Sequence, residues 1–139
     1  MNIVITGAGG VLCSAFSRAL AADGHKIALL DLNLEAAERE AEGIRKAGGE
    51  AIAVQANVLD KESLKKAHDV VLEKFGPCEV LINGAGGNNP KGTTTSEYFS
   101  KEDMLDENAR SFFDLDRDGV SFVFNLNFLG TLLTTQAFA

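Results

Sequence analysis

Three glycines near the start of the chain separate an apolar run from a helical pattern. The run covers residues 2–6, and the turn and first helical residues that follow are Gly7, Gly9, Gly10, Val11 and Leu12. Such a turn presents backbone N–H groups and a helix N-terminus, both of which attract the diphosphate of a dinucleotide. The strict G-x-G-x-x-G spacing is broken because Leu12 occupies its last position. The glycines alone are therefore a weak signal, and further residues have to support a cofactor site.

Polar or glycine residues also end each of the next three apolar runs. Asp31 ends "KIALLD", where a carboxylate can accept both ribose hydroxyls of NAD and repel the 2′-phosphate of NADP. Asn57 and Val58 end the third run, on the expected adenine side. The fourth run ends in residues where the backbone must approach the ligand, namely Asn83, Gly84, Ala85 and Gly86. We therefore expect NAD, rather than NADP, to bind these residues.

The elements that would position these residues alternate between strands and helices. Apolar runs predict strands over 2–6, 26–31, 51–57 and 79–86, and periodic apolar residues predict helices between them and from about residue 117 onward. This order predicts an α/β fold of one domain, 1–139, with a Rossmann-like doubly wound parallel sheet. The carboxyl ends of its strands meet at one edge, where ligands bind in such sheets.

Two of the predicted helices carry more specific expectations. Asp60 is expected to cap the helix that follows the third strand. The first helix is expected to bury a face that contains Val11, Leu12, Ala15, Phe16, Ala19 and Leu20.

Composition excludes several classes of function. A net charge of −7 argues against nucleic acid and anionic membranes as partners. The two cysteines, Cys13 and Cys78, fit neither a disulfide framework nor a zinc site and are expected to be buried thiols. No apolar run is long enough to span a bilayer, and an apolar strand begins directly after Met1. We therefore expect a cytoplasmic protein.

A long polar segment, residues 88–114, separates the fourth strand from the last helix. Its length predicts either a surface loop or a substrate-contacting loop, and we expect it to be the most mobile part of the chain.

The residues at the end of this segment and after it partly match a calcium loop, with Asp114, Asp116, Asp118 and Gly119 at positions 1, 3, 5 and 6 of the loop pattern. The twelfth position holds Asn125 instead of a bidentate glutamate. We therefore expect Asp116 to cap a helix and no metal to bind.

Several of these motifs resemble those of the short-chain dehydrogenase/reductase family along the whole chain. "TGAGGVLC" stands where that family carries T-G-x-x-x-G-x-G, so Val11 and Cys13 replace two glycines. "NV" at 57–58 occupies the place where the family carries Asp-Val, and "NGAG" at 83–86 occupies the place of its N-N-A-G. "NLNFLGT" resembles the helical segment that holds the asparagine of the family's catalytic tetrad, which implies a catalytic role for Asn127. The resemblance also implies an NAD(P)-dependent oxidoreductase that forms dimers or tetramers through this helix.

Within the family, "GAGGNNPKGTTTSEYF" and the last 28 residues most resemble the D-mannonate oxidoreductase (fructuronate reductase) branch. That resemblance implies a sugar-acid substrate, with a keto-hexuronate and a hexonate interconverted by hydride transfer. The family's catalytic tyrosine and lysine lie beyond the helix of Asn127, and this chain's one tyrosine, Tyr98, has Glu102 four residues later. We therefore expect the N-terminal cofactor-binding part of an oxidoreductase, inactive as a 139-residue chain. The alternative is a standalone nucleotide-binding module without catalytic activity.

Overall fold

Four parallel strands form one sheet at the centre of the protein, described by a computed structural model that covers residues 1–139. They are β1 (Asn2–Thr6), β2 (Lys26–Asp31), β3 (Glu50–Gln55) and β4 (Val80–Ile82). The spatial order β3-β2-β1-β4 places β1 between β2 and β4, so the chain reverses its direction of winding at β1. This confirms the predicted doubly wound α/β sheet and sets its switch point between β1 and β4.

Helices cover both faces of this sheet. They are α1 (Val11–Ala22), α2 (Leu34–Lys46), α3 (Lys61–Phe75), α4 (Arg117–Phe124) and α5 (Gly130–Phe138), and a π-helical segment, Asn125–Leu129, joins α4 to α5. Alternate strand residues enter two cores. Ile3, Ile5 and Leu29 pack toward α1 and α2, whereas Val4 and Leu30 pack toward α3 and α5. No helix combines the length and the apolar character needed to cross a bilayer.

Side chains cap three of these helices and leave α1 without a side-chain cap. The side chains of Asn33, Asp60 and Asp116 accept hydrogen bonds from the first-turn N–H groups of α2, α3 and α4. The caps at Asp60 and Asp116 confirm the predictions for those two carboxylates. Gly10 is the N-cap of α1 and has no side chain to offer, so the first N–H groups of α1 are left open.

The buried face of α1 differs from the predicted one. The side chains that face the core are small: Cys13, Ser14, Ser17 and Ala21. Ser14 and Ser17 can be buried because their hydroxyls donate to the carbonyls of Val11 and Cys13, 3.0 and 2.8 Å away. Three larger residues of the predicted face lie outward, namely Val11 (92% exposed), Leu12 (65%) and Phe16 (42%), whereas Leu20 is partly buried against the core. The helix packs close to the sheet, so the side-chain size, and not the apolar period, selects its inner face.

The third and fourth strands are shorter than predicted. β3 ends at Gln55 instead of residue 57, and β4 is limited to three residues instead of 79–86. The backbone leaves β4 early because the N–H groups of Gly84 and Ala85 donate to the side chain of Thr6 instead of to a neighbouring strand. Residues 83–87, here called the β4 loop, are therefore a glycine-rich loop at the end of the sheet.

The polar segment 88–114 is attached to α4 at its start. It contains three short 3-10 turns, Pro90–Gly92, Asp103–Leu105 and Phe112–Asp114. Gly92 lies against Gly119, so that a Cβ on Gly92 would come within 2.8 Å of the carbonyl carbon of Gly119. The carbonyl of Lys91 accepts a 3.0 Å hydrogen bond from the N–H of Asp116. The segment is thus fixed to the first turn of α4, and its mobility elsewhere stays a prediction.

Candidate cofactor-binding site

A cleft of about 590 Å³ opens at the carboxyl ends of the strands. The predicted cofactor residues that line it are Gly7, Gly10, Val11, Leu12, Asp31, Asn57, Val58, Asn83, Gly84, Ala85 and Gly86. Two predicted site residues, Gly9 and Asn127, are not among the residues that line it. A smaller cavity of about 360 Å³ lies elsewhere, beside the C-terminal ends of α1 and α2, where helix carbonyls disfavour a diphosphate. The cleft is therefore the candidate dinucleotide site.

Close packing at the glycine turn leaves room only for glycine. Gly7 has a φ of +64°, and a Cβ there would lie 2.8 Å from the carbonyl oxygen of Gly84 and 2.9 Å from the Cα of Ala85. A Cβ on Gly9 would lie 2.7 Å from that of Ala36. The turn therefore brings the backbones of β1 and the β4 loop into direct contact beneath the cleft.

Open N–H groups mark the start of α1. The N–H groups of Val11, Leu12 and Cys13 have no acceptor within the protein, because they begin the helix and Gly10 provides no cap. No acidic side chain stands in this first turn. Together with the positive end of the helix dipole, these donors form a site for an anionic group such as a diphosphate.

Asp31 is part of the glycine turn as well as of the cleft wall. Its Oδ2 accepts a 2.9 Å hydrogen bond from the N–H of Gly9, and its Oδ1 accepts one of 2.9 Å from the N–H of Asn33. The Gly9 N–H is thus committed to Asp31 and is not free to bind a ligand. Each carboxylate oxygen keeps a further lone pair for a ligand hydroxyl.

Both asparagines that line the cleft are anchored by their amides. Asn57 Oδ1 accepts a 3.0 Å hydrogen bond from the N–H of Leu59, which occupies one lone pair of the oxygen expected to face adenine. Asn83 Nδ2 donates to Thr135 Oγ1 at 3.2 Å and so ties the β4 loop to α5. Both side chains hold the ends of strands in place at the rim of the cleft.

Thr6 is a supporting residue that sequence reasoning missed. It is 1% exposed, and its Oγ1 accepts from the N–H groups of both Gly84 and Ala85, each at 3.1 Å. A hydroxyl at the end of an otherwise apolar strand, directly before Gly7, was the available signal. Its partners lie 78 and 79 residues away, so spacing could not identify them.

Asn127 lies in the π-helical segment and is bound to the β4 loop. Its Nδ2 donates to the carbonyls of Gly87 and Val123 at 2.7 and 2.8 Å, and its Oδ1 accepts from the Gly87 N–H at 3.1 Å. A Cβ on Gly86 would lie 2.5 Å from that Oδ1. π-Helical bulges are frequent at functional sites. The side chain of Asn127 therefore fixes the backbone at the end of the β4 loop.

No proton donor of the expected kind lines the cleft. Tyr98, the one tyrosine, is 80% exposed on the polar segment. Burial, and secondarily the charge of Asp31, raise the pKa of the Cys13 thiol above its usual value, so the thiol is neutral and a poor nucleophile at pH 7. The described residues thus offer a place to bind a dinucleotide, without an acid–base pair beside it.

Comparison with known proteins agrees with this arrangement. The sequence profile of the short chain dehydrogenase family matches residues 1–139. An oxidoreductase of Haemophilus influenzae is 54% identical over 137 residues, which are 99% of this chain and 47% of the relative. The oxidoreductase UxuB of Bacillus subtilis is 44% identical over 135 residues, 97% of this chain and 47% of the relative. The chain thus spans about half the length of the curated relatives it matches.

Solved structures of oxidoreductases also superpose on this chain. A crystal structure from Haemophilus influenzae, assigned as a D-mannonate oxidoreductase with bound NAD, superposes with a TM-score of 0.91 at 54% identity. The match covers 98% of this chain and 48% of that one. A 3-ketoacyl-ACP reductase from Sinorhizobium meliloti superposes with a TM-score of 0.79 at 28% identity, over 98% of this chain and 47% of that one. The parallel sheet and the open helix N-terminus agree with a family profile that matches all 139 residues. The chain therefore belongs to the short chain dehydrogenase family.

Proposed function

We propose that this chain is the N-terminal, cofactor-binding part of an NAD-dependent oxidoreductase that acts on a sugar acid. The observation that carries the proposal is the cleft, in which open N–H groups at the start of α1 stand beside the carboxylate of Asp31. Gly7 supports this cleft from below, because only a glycine there allows the turn to contact the backbone of the β4 loop. The 54% identity to a protein whose structure holds NAD supports the same cofactor here.

Each part of the cleft suits one part of NAD. The N–H groups of Val11, Leu12 and Cys13 would hold the diphosphate, and Asp31 would accept from the adenosine ribose hydroxyls. Val58 would lie on the adenine side, as expected from its position after β3. When bound, NAD supplies a nicotinamide ring that accepts or donates the hydride.

NAD is preferred over NADP in this proposal because of charge. Asp31 would repel a 2′-phosphate, and the next residue, Leu32, offers no positive charge to offset the repulsion. No basic residue stands in the glycine turn either. The carboxylate thus favours the cofactor that has free ribose hydroxyls.

The substrate class follows from the relatives and from the polar segment 88–114. The relative of known structure is assigned as a D-mannonate oxidoreductase, which supports a keto-hexuronate and a hexonate as the reacting pair. Asn88, Asn89 and Lys91 offer amide and ammonium groups suited to a polyhydroxy carboxylate. Asn127 would act at the edge of this site, through the backbone of the β4 loop and, by family resemblance, through a proton-relay water.

The experiment uses the protein made from its complete reading frame. Titration calorimetry with NAD and with NADP should give tighter binding of NAD, and D-mannonate should be oxidised with NAD as the acceptor. Tighter binding of NADP would contradict the cofactor assignment. NAD binding without turnover of any hexonate or hexuronate would instead favour the alternative, a nucleotide-binding module without catalytic activity.

A further inference from the structure

Gly84 is enclosed by two residues of the β1–α1 unit. Its N–H donates to Thr6 Oγ1 at 3.1 Å, and a Cβ added to it would lie 2.8 Å from the carbonyl oxygen of Thr6. The same Cβ would also overlap Cys13 Sγ. The β4 loop therefore approaches the first turn of α1 until a single sulfur atom fills the space between them.

Cys13 occupies a position from which its size can affect the cleft. It is 6% exposed and begins the inner face of α1, and its own N–H is one of the open donors of the helix start. Both Cys13 and Gly84 line the cleft. A change in the volume of this side chain would therefore shift the open N–H groups relative to the β4 loop.

We propose that Cys13 and Gly84 form a size-matched contact that sets the width of the cofactor cleft, with Cys13 as a positioning residue. The inference rests on the proposed function, since the cleft is taken to bind NAD. The thiol acts through its volume and not through its reactivity, which agrees with its burial and its raised pKa. A larger side chain at either position would separate α1 from the β4 loop. A smaller one at position 13 would remove the closer of the two overlaps that a Cβ at position 84 makes, the one with Cys13 Sγ.

The first test replaces each cysteine of the full-length protein by valine. Cys13→Val should raise the Kd and KM for NAD about tenfold, equivalent to about 1.4 kcal/mol, with kcat much less affected. Cys78→Val is the matched control, because Cys78 is a half-buried thiol that lies before β4, outside the cleft, where it donates to the Val80 carbonyl at 3.3 Å. This control should leave the Kd for NAD unchanged even if it lowers the melting temperature.

The second test is a double-mutant cycle. Gly84→Ala should weaken NAD binding strongly, and Cys13→Ala added to it should restore about tenfold of the affinity. The rescue is expected to be partial. Once the sulfur is gone, a Cβ on Gly84 would lie 3.7 Å from the Cys13 Cβ, an ordinary contact, but its 2.8 Å approach to the Thr6 carbonyl oxygen would remain. A merely destabilising pair of substitutions would not restore affinity.

The outcomes separate this inference from the proposed function. If the unsubstituted protein binds no NAD, the proposed function fails and the inference fails with it. If the unsubstituted protein binds NAD but Cys13→Val binds it equally well, or if the two alanine substitutions act additively, only the inference is overturned.

Discussion

Asp31 shows how one side chain serves both the local turn and the ligand. It accepts the Gly9 N–H that would otherwise be unpaired beneath the cleft, and it ends β2 at the cleft edge. A hydrogen bond to a charged acceptor of this kind contributes about 1.5–3 kcal/mol to the free energy of unfolding, which is more than a hydrogen bond to a neutral acceptor contributes. The charge that we propose to favour NAD is therefore also the charge that holds the glycine turn.

Asp31→Ala is expected to change both properties. It should narrow the difference between the affinities for NAD and NADP and should lower the free energy of unfolding by about 1–3 kcal/mol, because the Gly9 N–H loses its acceptor. Asp31→Asn is the matched control, which removes the charge but keeps an oxygen for Gly9. Calorimetry and urea unfolding measure the two effects, and an unchanged preference for NAD in both variants would contradict the role of the charge.

Thr6→Val is expected to loosen the β4 loop while it preserves side-chain shape. The substitution leaves the N–H groups of Gly84 and Ala85 without their acceptor, at a cost of about 1–3 kcal/mol. Thr6→Ser keeps the hydroxyl and serves as the control. Amide hydrogen exchange should become faster at residues 84 and 85 in the valine variant only. Equal protection in both variants would show that Oγ1 does not hold the loop.

Among the elements, the β4 loop and the helix from Arg117 to Phe138 depend on each other. Asn127 pairs with both the N–H and the carbonyl of Gly87, and Asn83 reaches Thr135 on α5. The π-helical segment places Asn127 at the point where it meets Gly87. The geometry of the β4 loop is consequently set by residues about 40 and 52 positions later in the chain.

The contact between Gly92 and Gly119 gives a prediction for the polar segment. A Cβ on Gly119 would lie 2.7 Å from the backbone nitrogen of Gly92, so Gly119→Ala should detach the segment from α4 and cost about 1–3 kcal/mol. Gly43→Ala is the matched control in α2, where a Cβ meets open space and should stabilise by up to about 1 kcal/mol. Urea unfolding measures both changes. Equal stabilisation by the two alanines would refute the contact.

At the scale of the whole molecule, several large apolar side chains are exposed. The last helical stretch exposes Phe122 (45%), Phe124 (67%), Phe128 (70%) and Leu132 (43%), and α1 exposes Val11 and Leu12. Large apolar residues exposed close together along one helical stretch are typical of protein–protein contacts. We propose that the helical stretch lies in a homo-oligomer interface, as family resemblance implies.

The 139-residue chain by itself is therefore expected to self-associate and to catalyse nothing. Its exposed phenylalanines favour association, and no tyrosine–lysine pair is available to move a proton at the substrate oxygen. Light scattering on the purified chain should give a mass above that of the monomer, and NADH oxidation with fructuronate should stay at background. Turnover by a monomer would mean that the catalytic groups have been assigned wrongly. Phe128→Ser should reduce association, whereas Lys101→Ser, on the exposed polar segment, should not.

Local patterns in the sequence were enough to predict the sheet, the helices and most of the cleft. Continuous apolar runs indicate parallel strands, and the carboxyl ends of such strands meet at one edge of the sheet. The sequence order alone therefore predicted that Asp31, Asn57 and Asn83 lie at the same edge. Caps such as Asp60 depend on residues within one helical turn and were predictable for the same reason.

Tertiary structure decided what depends on distant partners and on available space. The inner face of α1 consists of small residues because the helix lies close to the sheet, which an apolar period cannot reveal. The roles of Thr6 and Cys13 follow from a β4 loop more than 70 residues away, and those of Asn127 and Gly119 follow from backbone contacts with Gly87 and Gly92. The sequence by itself determined which elements form and which edge of the sheet carries the candidate site. Close packing between elements determined which side chains support that edge, because excluded volume acts between atoms that sequence spacing does not relate.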